Sequence, residues 1–386
     1  MTAKVMGALP GAAVDVLTAD PSLLPLEPDH SLDSYVAERF KRVVRVLPSR
    51  LVQALTRLPR LPLRPDRWVL LTRSMVQAAQ GMDLGAYDCL VTRSQFHSAH
   101  LVGLEIKRSR PNLPWLACFS DPWSGAVYDR EVPLATGWSA RREVKVLAAA
   151  DGLVFPTAEM LSFVDGAHPA LRIATKGSVV PHGFDAALYG NDSGPPEASP
   201  VRIGLFGSFY GPRSPHPLLA GLAELHDRGA PTFSLDVYGP NTTHFASALD
   251  DFPSLARLVR HRGMLDHVTA LRQMRSYHLL VMVDAPMAPP SIFLPSKLTD
   301  YIGAGRPIVA ITPAGAAADV VKSVGGFVAS PDDPASVAHM LAASVAAAAS
   351  GQLTTNRPQG EAYAIARVAG TLREVIGETM ARRALH

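Results

Sequence analysis

Cysteine is scarce: the chain has 386 residues and only two of them are cysteine. Cys89 and Cys118 both sit in apolar, strand-like runs without metal-ligand spacing. That excludes a disulfide scaffold and a zinc module, and it fits buried thiols in a reducing compartment. Charge is sparse too: charged residues make up 18% of the chain and the net charge is +3, too small to imply a nucleic-acid partner. No run of about 18 apolar residues occurs, so no transmembrane helix is expected. The N-terminus lacks the long apolar core of a signal peptide. The glycine-rich strand end near residue 207 is not G-x-G-x-x-G, and no Gly-Lys-Ser/Thr follows it. A nicotinamide dinucleotide site and a Walker loop are therefore not indicated. What remains is a cytoplasmic globular protein whose length and 47% hydrophobic residues suit two or three domains.

The stretch from Ala288 to Thr312 organises the reading. Pro289, Pro290 and Pro295 keep its entry irregular. Ser296 suits an N-cap before a helix beginning near Lys297, and Gly305 suits a left-handed exit. Ile308 to Ile311 then reads as a buried strand. A helix N-terminus at a sheet edge, with Lys297 in its first turn, favours a phosphate. Asp300, one turn on, can meet a sugar or ribose hydroxyl. The bland alternative is a capped surface helix with solvated Lys and Asp.

Before that stretch, Lys4 to Leu9 reads as a helix tail and Val14 to Thr18 as a strand. Residues 35–64 form a basic amphipathic region. Phe40, Val43, Val44, Leu47, Leu51, Leu55 and Leu58 recur at helical steps among arginines, and Pro48 divides the region into two helices. It either packs on a core or rests on anionic lipid. From Tyr87 strands and helices alternate: strands at 88–92, 115–119, 152–155 and 178–180, helices at 97–108, 139–150 and 158–164. That pattern implies a parallel sheet with ligands beyond its carboxyl ends. Ser94-Gln95 and Ser120-Asp121-Pro122-Trp123 lie there. Asp121 can act as a general base or hydroxyl binder, and Trp123 can offer a flat face to a sugar, unless the Asp-Pro turn simply packs over it.

The polar segment from Asn191 to Pro196 marks a domain boundary. A second series follows, with strands at 201–206, 233–238, 260–263, 279–283, 308–311 and 327–329. Gly207, Ser208 and Arg213 follow its first strand; glycines let backbone N–H groups approach a ligand, and an arginine can grip a diphosphate with two hydrogen bonds. Tyr238 and the Gly263-Met264 turn end neighbouring strands on the same rim.

Together the segments VRIGLFGSFYGPRSPHPLL, FSLDVYGP, RHRGMLDHVTALRQMRSYHLLVMV and LPSKLTDYIGAGRPIVAITP, with YDCLVTRSQFHSAHLVGLEIKR, PWLACFSDPW, AAADGLVFPTAEM and VVPHGFD before them, resemble the retaining glycosyltransferases of family 4. The resemblance implies an α/β fold of two Rossmann-like domains facing across a cleft, the GT-B architecture. It divides the chain into an acceptor domain over 1–186, a nucleotide-sugar domain over 200–360 and a C-terminal helix over 361–386 that packs back on the first domain. It implies transfer of a sugar from a nucleotide diphosphate to a saccharide or lipid-linked acceptor, with retention, in cell-surface polysaccharide assembly. Arg213, Lys297 and Asp121 carry the chemistry. Gly207, Ser208, Arg213, Tyr238, Gly263, Met264, Ser296, Lys297 and Asp300 hold the donor, with Asp300 at the ribose. No metal or cofactor is implied, because cations and a helix tip neutralise the leaving diphosphate. An apolar residue, Ile292, stands where the family's sugar-contacting carboxylate falls. The family's opening strand and glycine-rich loop have no counterpart, so a first sheet short of one strand is expected. The alternatives are a non-catalytic binding or scaffold protein, or a nucleotide-sugar epimerase. The protein is placed in the cytoplasm, with the inner membrane face as a second location allowed by residues 35–64.

Overall fold

Two parallel-sheet units account for the chain in a computed structural model. It describes residues 2–24, 27–58, 63–94, 96–124, 133–190, 199–240, 243–288, 290–353, 355 and 357–384. One unit contains residues 2–181 and 368–386; the other contains 182–367. The helix predicted over 361–386 is thus shared, its first residues belonging to the second unit. Gln95, Pro289 and the boundary segment from Asn191 to Pro196 lie outside the described residues.

The first unit begins with α1 (Thr2–Gly7), β1 (Asp15–Ala19), α2 (Asp33–Arg39), β2 (Arg42–Val46), α3 (Arg50–Arg57) and α4 (Thr72–Gln80). It continues with β3 (Leu90–Arg93), α5 (Ser98–Ser109), β4 (Trp115–Cys118), α6 (Pro133–Ala149), β5 (Gly152–Phe155), α7 (Ala158–Ala167) and β6 (Gly177–Val179). Strands β3-β4-β5-β6 form one parallel sheet in that order, while β1 and β2 pair in parallel with each other. Every residue of β4 and β5 is buried, as continuous apolar runs in a covered parallel sheet should be. Helix α5 packs tightly on β4: a Cβ at Gly103 would lie 2.6 Å from the Trp115 indole.

One expectation fails here. Residues 42–46 are a strand, not a helix. Val43, Val44 and Val46 are β-branched, lose side-chain freedom in a helix and pack well on a pleated surface. The register of β2 against β1 runs from Asp15 opposite Arg42 to Ala19 opposite Val46. Among its described residues, the region is helical only at its start, in the end of α2, and in α3 beyond Pro48.

The second unit contains β7 (Val201–Phe206), α8 (His216–Asp227), β8 (Phe233–Tyr238), α9 (Thr243–Asp250), β9 (Val259–Gly263) and α10 (His267–Met274). Then come β10 (Leu279–Val283), α11 (Ser296–Ala304), β11 (Ile308–Ile311), α12 (Ala316–Ser323), β12 (Phe327–Ala329), α13 (Pro334–Ala349), the single turn α14 (Arg357–Gly360) and α15 (Ile365–Ala384), which straddles both units. Its sheet order is β12-β11-β10-β7-β8-β9, all parallel. Strand order reverses between β7 and β10, so a crevice opens at their carboxyl ends. The core on one face joins Ile203, Leu205, Leu235, Val281 and Val309 of the strands to Leu218 and Leu222 of α8 and Leu341 of α13.

Candidate functional site

The rim of the second unit is built from strand ends. Gly207 N donates to the Tyr238 carbonyl at 2.8 Å, and Gly239 N donates to the Gly263 carbonyl at 3.0 Å. These bonds tie together the loops after β7, β8 and β9. The fit is close enough to demand glycine: Gly239 has φ 153, and a Cβ there would fall 2.1 Å from the Gly207 carbonyl oxygen.

Helix α11 brings its first turn to this rim. Pro295, not Ser296, is the cap residue, and it makes no side-chain capping bond. Ser296 is the first helical residue and is exposed; its carbonyl accepts from Thr299 Oγ1 at 2.8 Å. The difference follows from Pro295, whose φ of −58 and ψ of 131 already give the extended geometry of a cap. Gly305 ends the helix in the left-handed region at φ 69, as its placement predicts.

Lys297 lies beside the glycine-rich loop: a Cβ on Gly207 would be 3.8 Å from its Nζ. Burial brings the Lys297 pKa down to about 8; the Arg213 guanidinium pushes the same way, and Asp284 opposes both. Two sequence-predicted cations therefore converge at the β7/β10 crevice. Arg213 Nη2 reaches Asp284 Oδ1 at 3.3 Å, its guanidinium carbon lies 5.0 Å from the Tyr210 ring centroid, and its buried Nε has no hydrogen-bond partner among the described residues.

The remaining predicted donor residues divide into rim and interior. Ser208 is half-buried next to Gly207. Gly263 turns at φ 81, and Met264 beyond it is 61% exposed. Asp300 is buried one turn after Lys297, and its backbone carbonyl accepts from Tyr189 Oη at 2.9 Å. Tyr238 does not present its ring to the rim. It stacks on Phe206 at 4.7 Å, and its hydroxyl is hydrogen-bonded at 3.0 Å to Tyr277 Oη, which gives its own proton to Asp236 Oδ2 at 2.9 Å. Asp284 and Thr312 are rim residues that sequence reasoning missed; each follows immediately on an apolar strand, β10 or β11.

The first unit has its own rim. Ser120 N donates to Ser94 Oγ at 3.0 Å, and Ser120 Oγ donates to the Ser94 carbonyl at 2.7 Å, joining the β3 and β4 ends. Asp121 follows, half-buried, without a hydrogen-bond partner among the described residues. Burial raises its pKa, which makes the carboxylate a stronger base than a solvated one. Trp123 offers no free face: it is buried and stacks on His97 at 5.2 Å with 12° between the planes. His97 and the fully buried His100 complete an aromatic plate with Phe119. Burial drives His97 down to about 4, so it is neutral. The N-terminus of α5 is already filled, because Ser98 N donates to Asp66 Oδ2 at 3.0 Å.

No protein-family model matches the chain, and no curated protein matches it in sequence. Solved structures do. Sucrose-phosphate synthase from Thermosynechococcus elongatus superposes with a TM-score of 0.69 at 17% identity, covering 98% of this chain and 92% of that one. HepE from Anabaena, solved with UDP and glucose, gives 0.62 at 16% identity, covering 94% and 99%. A glycosyltransferase from Rickettsia africae gives 0.60 at 13% identity, covering 95% and 99%. The fold is that of these glycosyltransferases. At such identities the likeness fixes the architecture of this glycosyltransferase fold, and the chemistry must be argued from its residues. Among the described residues no three His, Cys, Asp or Glu side chains gather as a metal site, and no helix is long and apolar enough to cross a membrane.

Proposed function

We propose that the protein transfers a sugar from a nucleotide diphosphate donor to a hydroxyl of a saccharide or lipid-linked acceptor, with retention of configuration, in cell-surface polysaccharide assembly. The observation that carries this reading is the convergence of Arg213 and Lys297 on the β7/β10 crevice, beside the first turn of α11. The diphosphate meets the guanidinium, the ammonium and the free N–H groups of that turn. The base lies along Gly263 and Met264, and Asp300 takes the ribose. As the bond from the anomeric carbon to the diphosphate oxygen breaks, these cations stabilise the charge on the leaving group, so the reaction needs no metal. The acceptor oxygen bonds to the same face of the anomeric carbon, and its proton passes to a phosphate oxygen. Asp121, on the first unit, orients that hydroxyl or assists as a base. UDP bound to HepE supports the class of donor.

Calorimetry with UDP and GDP tests the donor site. Arg213→Ala and Lys297→Ala should each weaken binding by roughly 1.5–3 kcal/mol, the scale of a charged hydrogen bond. Unchanged affinity in both variants would remove the assignment.

The acceptor side of the proposal includes an anionic membrane surface on the cytoplasmic face. Leu47, Leu51 and Leu58 are 57%, 70% and 52% exposed, and Arg42, Arg45, Arg50 and Arg57 are exposed around them. Leu51 lies in the first turn of α3, Leu58 caps its C-terminal end, and Leu47 sits in the connection from β2. That pattern suits an interfacial helix that meets anionic headgroups.

A further inference from the structure

The crevice between β7 and β10 contains a carboxylate that the donor reading does not use. Asp284 is the first residue after β10 and is buried. Its Oδ1 accepts from Arg213 Nη2 at 3.3 Å, and its Oδ2 accepts from Thr312 Oγ1 at 3.1 Å. The loops after β7, β10 and β11 are thus linked through one side chain. A carboxylate placed among groups meant for a diphosphate works against an incoming anion, unless it serves the empty site.

We propose that Asp284 is a built-in counter-ion to the two cations of the crevice: it holds Arg213 in place until a diphosphate arrives, and then yields the guanidinium to it. Asp284 is a positioning residue, acting through the two cations. The inference rests on the donor reading given above.

Three arguments support it. First, two half-buried cations at one crevice repel, and an unpaired charge drawn away from water is costly; a carboxylate near both lowers that cost. Second, Thr312 fixes the carboxylate, so Arg213 and not Asp284 is the partner free to move: Arg213 rides on the loop after β7, next to exposed Gly211 and Pro212. Third, the charged groups acting on Lys297 are Arg213, which disfavours its ammonium, and Asp284, which favours it. Asp300, one turn along α11, is the remaining carboxylate of that helix.

The sign follows. Lys297 is charged below about pH 8 and neutral above it. A diphosphate needs the ammonium, so affinity should fall as pH rises through that value. Removing Asp284 takes away the group that favours the ammonium, so the fall should begin at lower pH.

The test is the dissociation constant of UDP, or GDP if that is the nucleotide bound, for the full chain at about pH 7.0 and about pH 8.5. A single required proton with a pKa near 8 makes the ratio of the two constants roughly fourfold; a pKa one unit lower makes it more than tenfold. Asp284→Asn should give the larger ratio, together with tighter binding than the parent below the new midpoint. Thr312→Val, which releases one anchor of the carboxylate, should shift the ratio in the same direction by less, and it serves if Asp284→Asn does not fold. Parallel pH curves for parent and variants would overturn the proposal while leaving the donor site standing. A parent chain that binds neither nucleotide would sink the donor reading and this inference together.

Discussion

Asp121 shows how much chemistry one residue's surroundings decide. Its carboxyl group is raised by burial and lacks a hydrogen-bond partner among the described residues. A carboxyl raised in the folded state costs stability once the pH exceeds its unfolded value of 3.8, and that cost grows until the pH passes the folded value. Asp121→Asn should therefore raise the melting temperature at neutral pH while lowering sugar transfer, a trade expected of a residue retained for function. Unchanged stability with unchanged turnover would show Asp121 to be an ordinary turn residue. At this scale the sequence singles out Arg213, Lys297 and Gly207 as residue types suited to phosphate, and the structure brings them to one rim. The sequence was a poor guide to Asp284, because a lone Asp after an apolar strand carries no motif. Only the strand order, which puts β10 beside β7, gives that position meaning.

The strands of the four- and six-stranded sheets were legible because parallel strands covered on both faces are continuous apolar runs, as in Leu279–Val283 and Ile308–Ile311. Helix ends were legible where glycine or proline punctuates them. The failure was β2: Val43 and Val44 fit a three- and four-residue repeat by chance, and only pairing with β1 settles the ambiguity. For Trp123 the packed alternative holds, and its partner His97, distant in sequence, could not be named from the sequence. Helix α3 carries the prediction at this scale. Leu51 is 70% exposed, so Leu51→Glu should leave folding stability within about 0.5 kcal/mol. Yet it should markedly reduce co-sedimentation with vesicles that contain anionic lipid, and salt should weaken the binding of the parent chain. Co-sedimentation indifferent to lipid charge, salt and this substitution would end the membrane proposal.

For the whole molecule, the partition of the chain matters most. Residues 368–386 belong with 2–181, and a Cβ at Gly152 of β5 would fall 2.3 Å from Thr379 Oγ1 of α15. Leu372, Val375 and Ile376 of the same helix are buried. Each such aliphatic side chain contributes about 1.5–3 kcal/mol. A chain ending at Arg367 should lose several kcal/mol from the first unit and keep its nucleotide affinity. Fluorescence separates the two, because all four tryptophans, Trp68, Trp115, Trp123 and Trp138, lie in the first unit. A urea midpoint unchanged by the truncation would show that the last helix adds nothing to that unit.

The same partition imposes an order of events during synthesis. The unit that begins first cannot be finished until the final turns of α15 have cleared the ribosome, whereas residues 182–367 emerge as one uninterrupted block. The second unit can thus mature while the first still waits for its closing piece, and premature termination near the end of the message would leave 182–367 whole and the first unit unfinished.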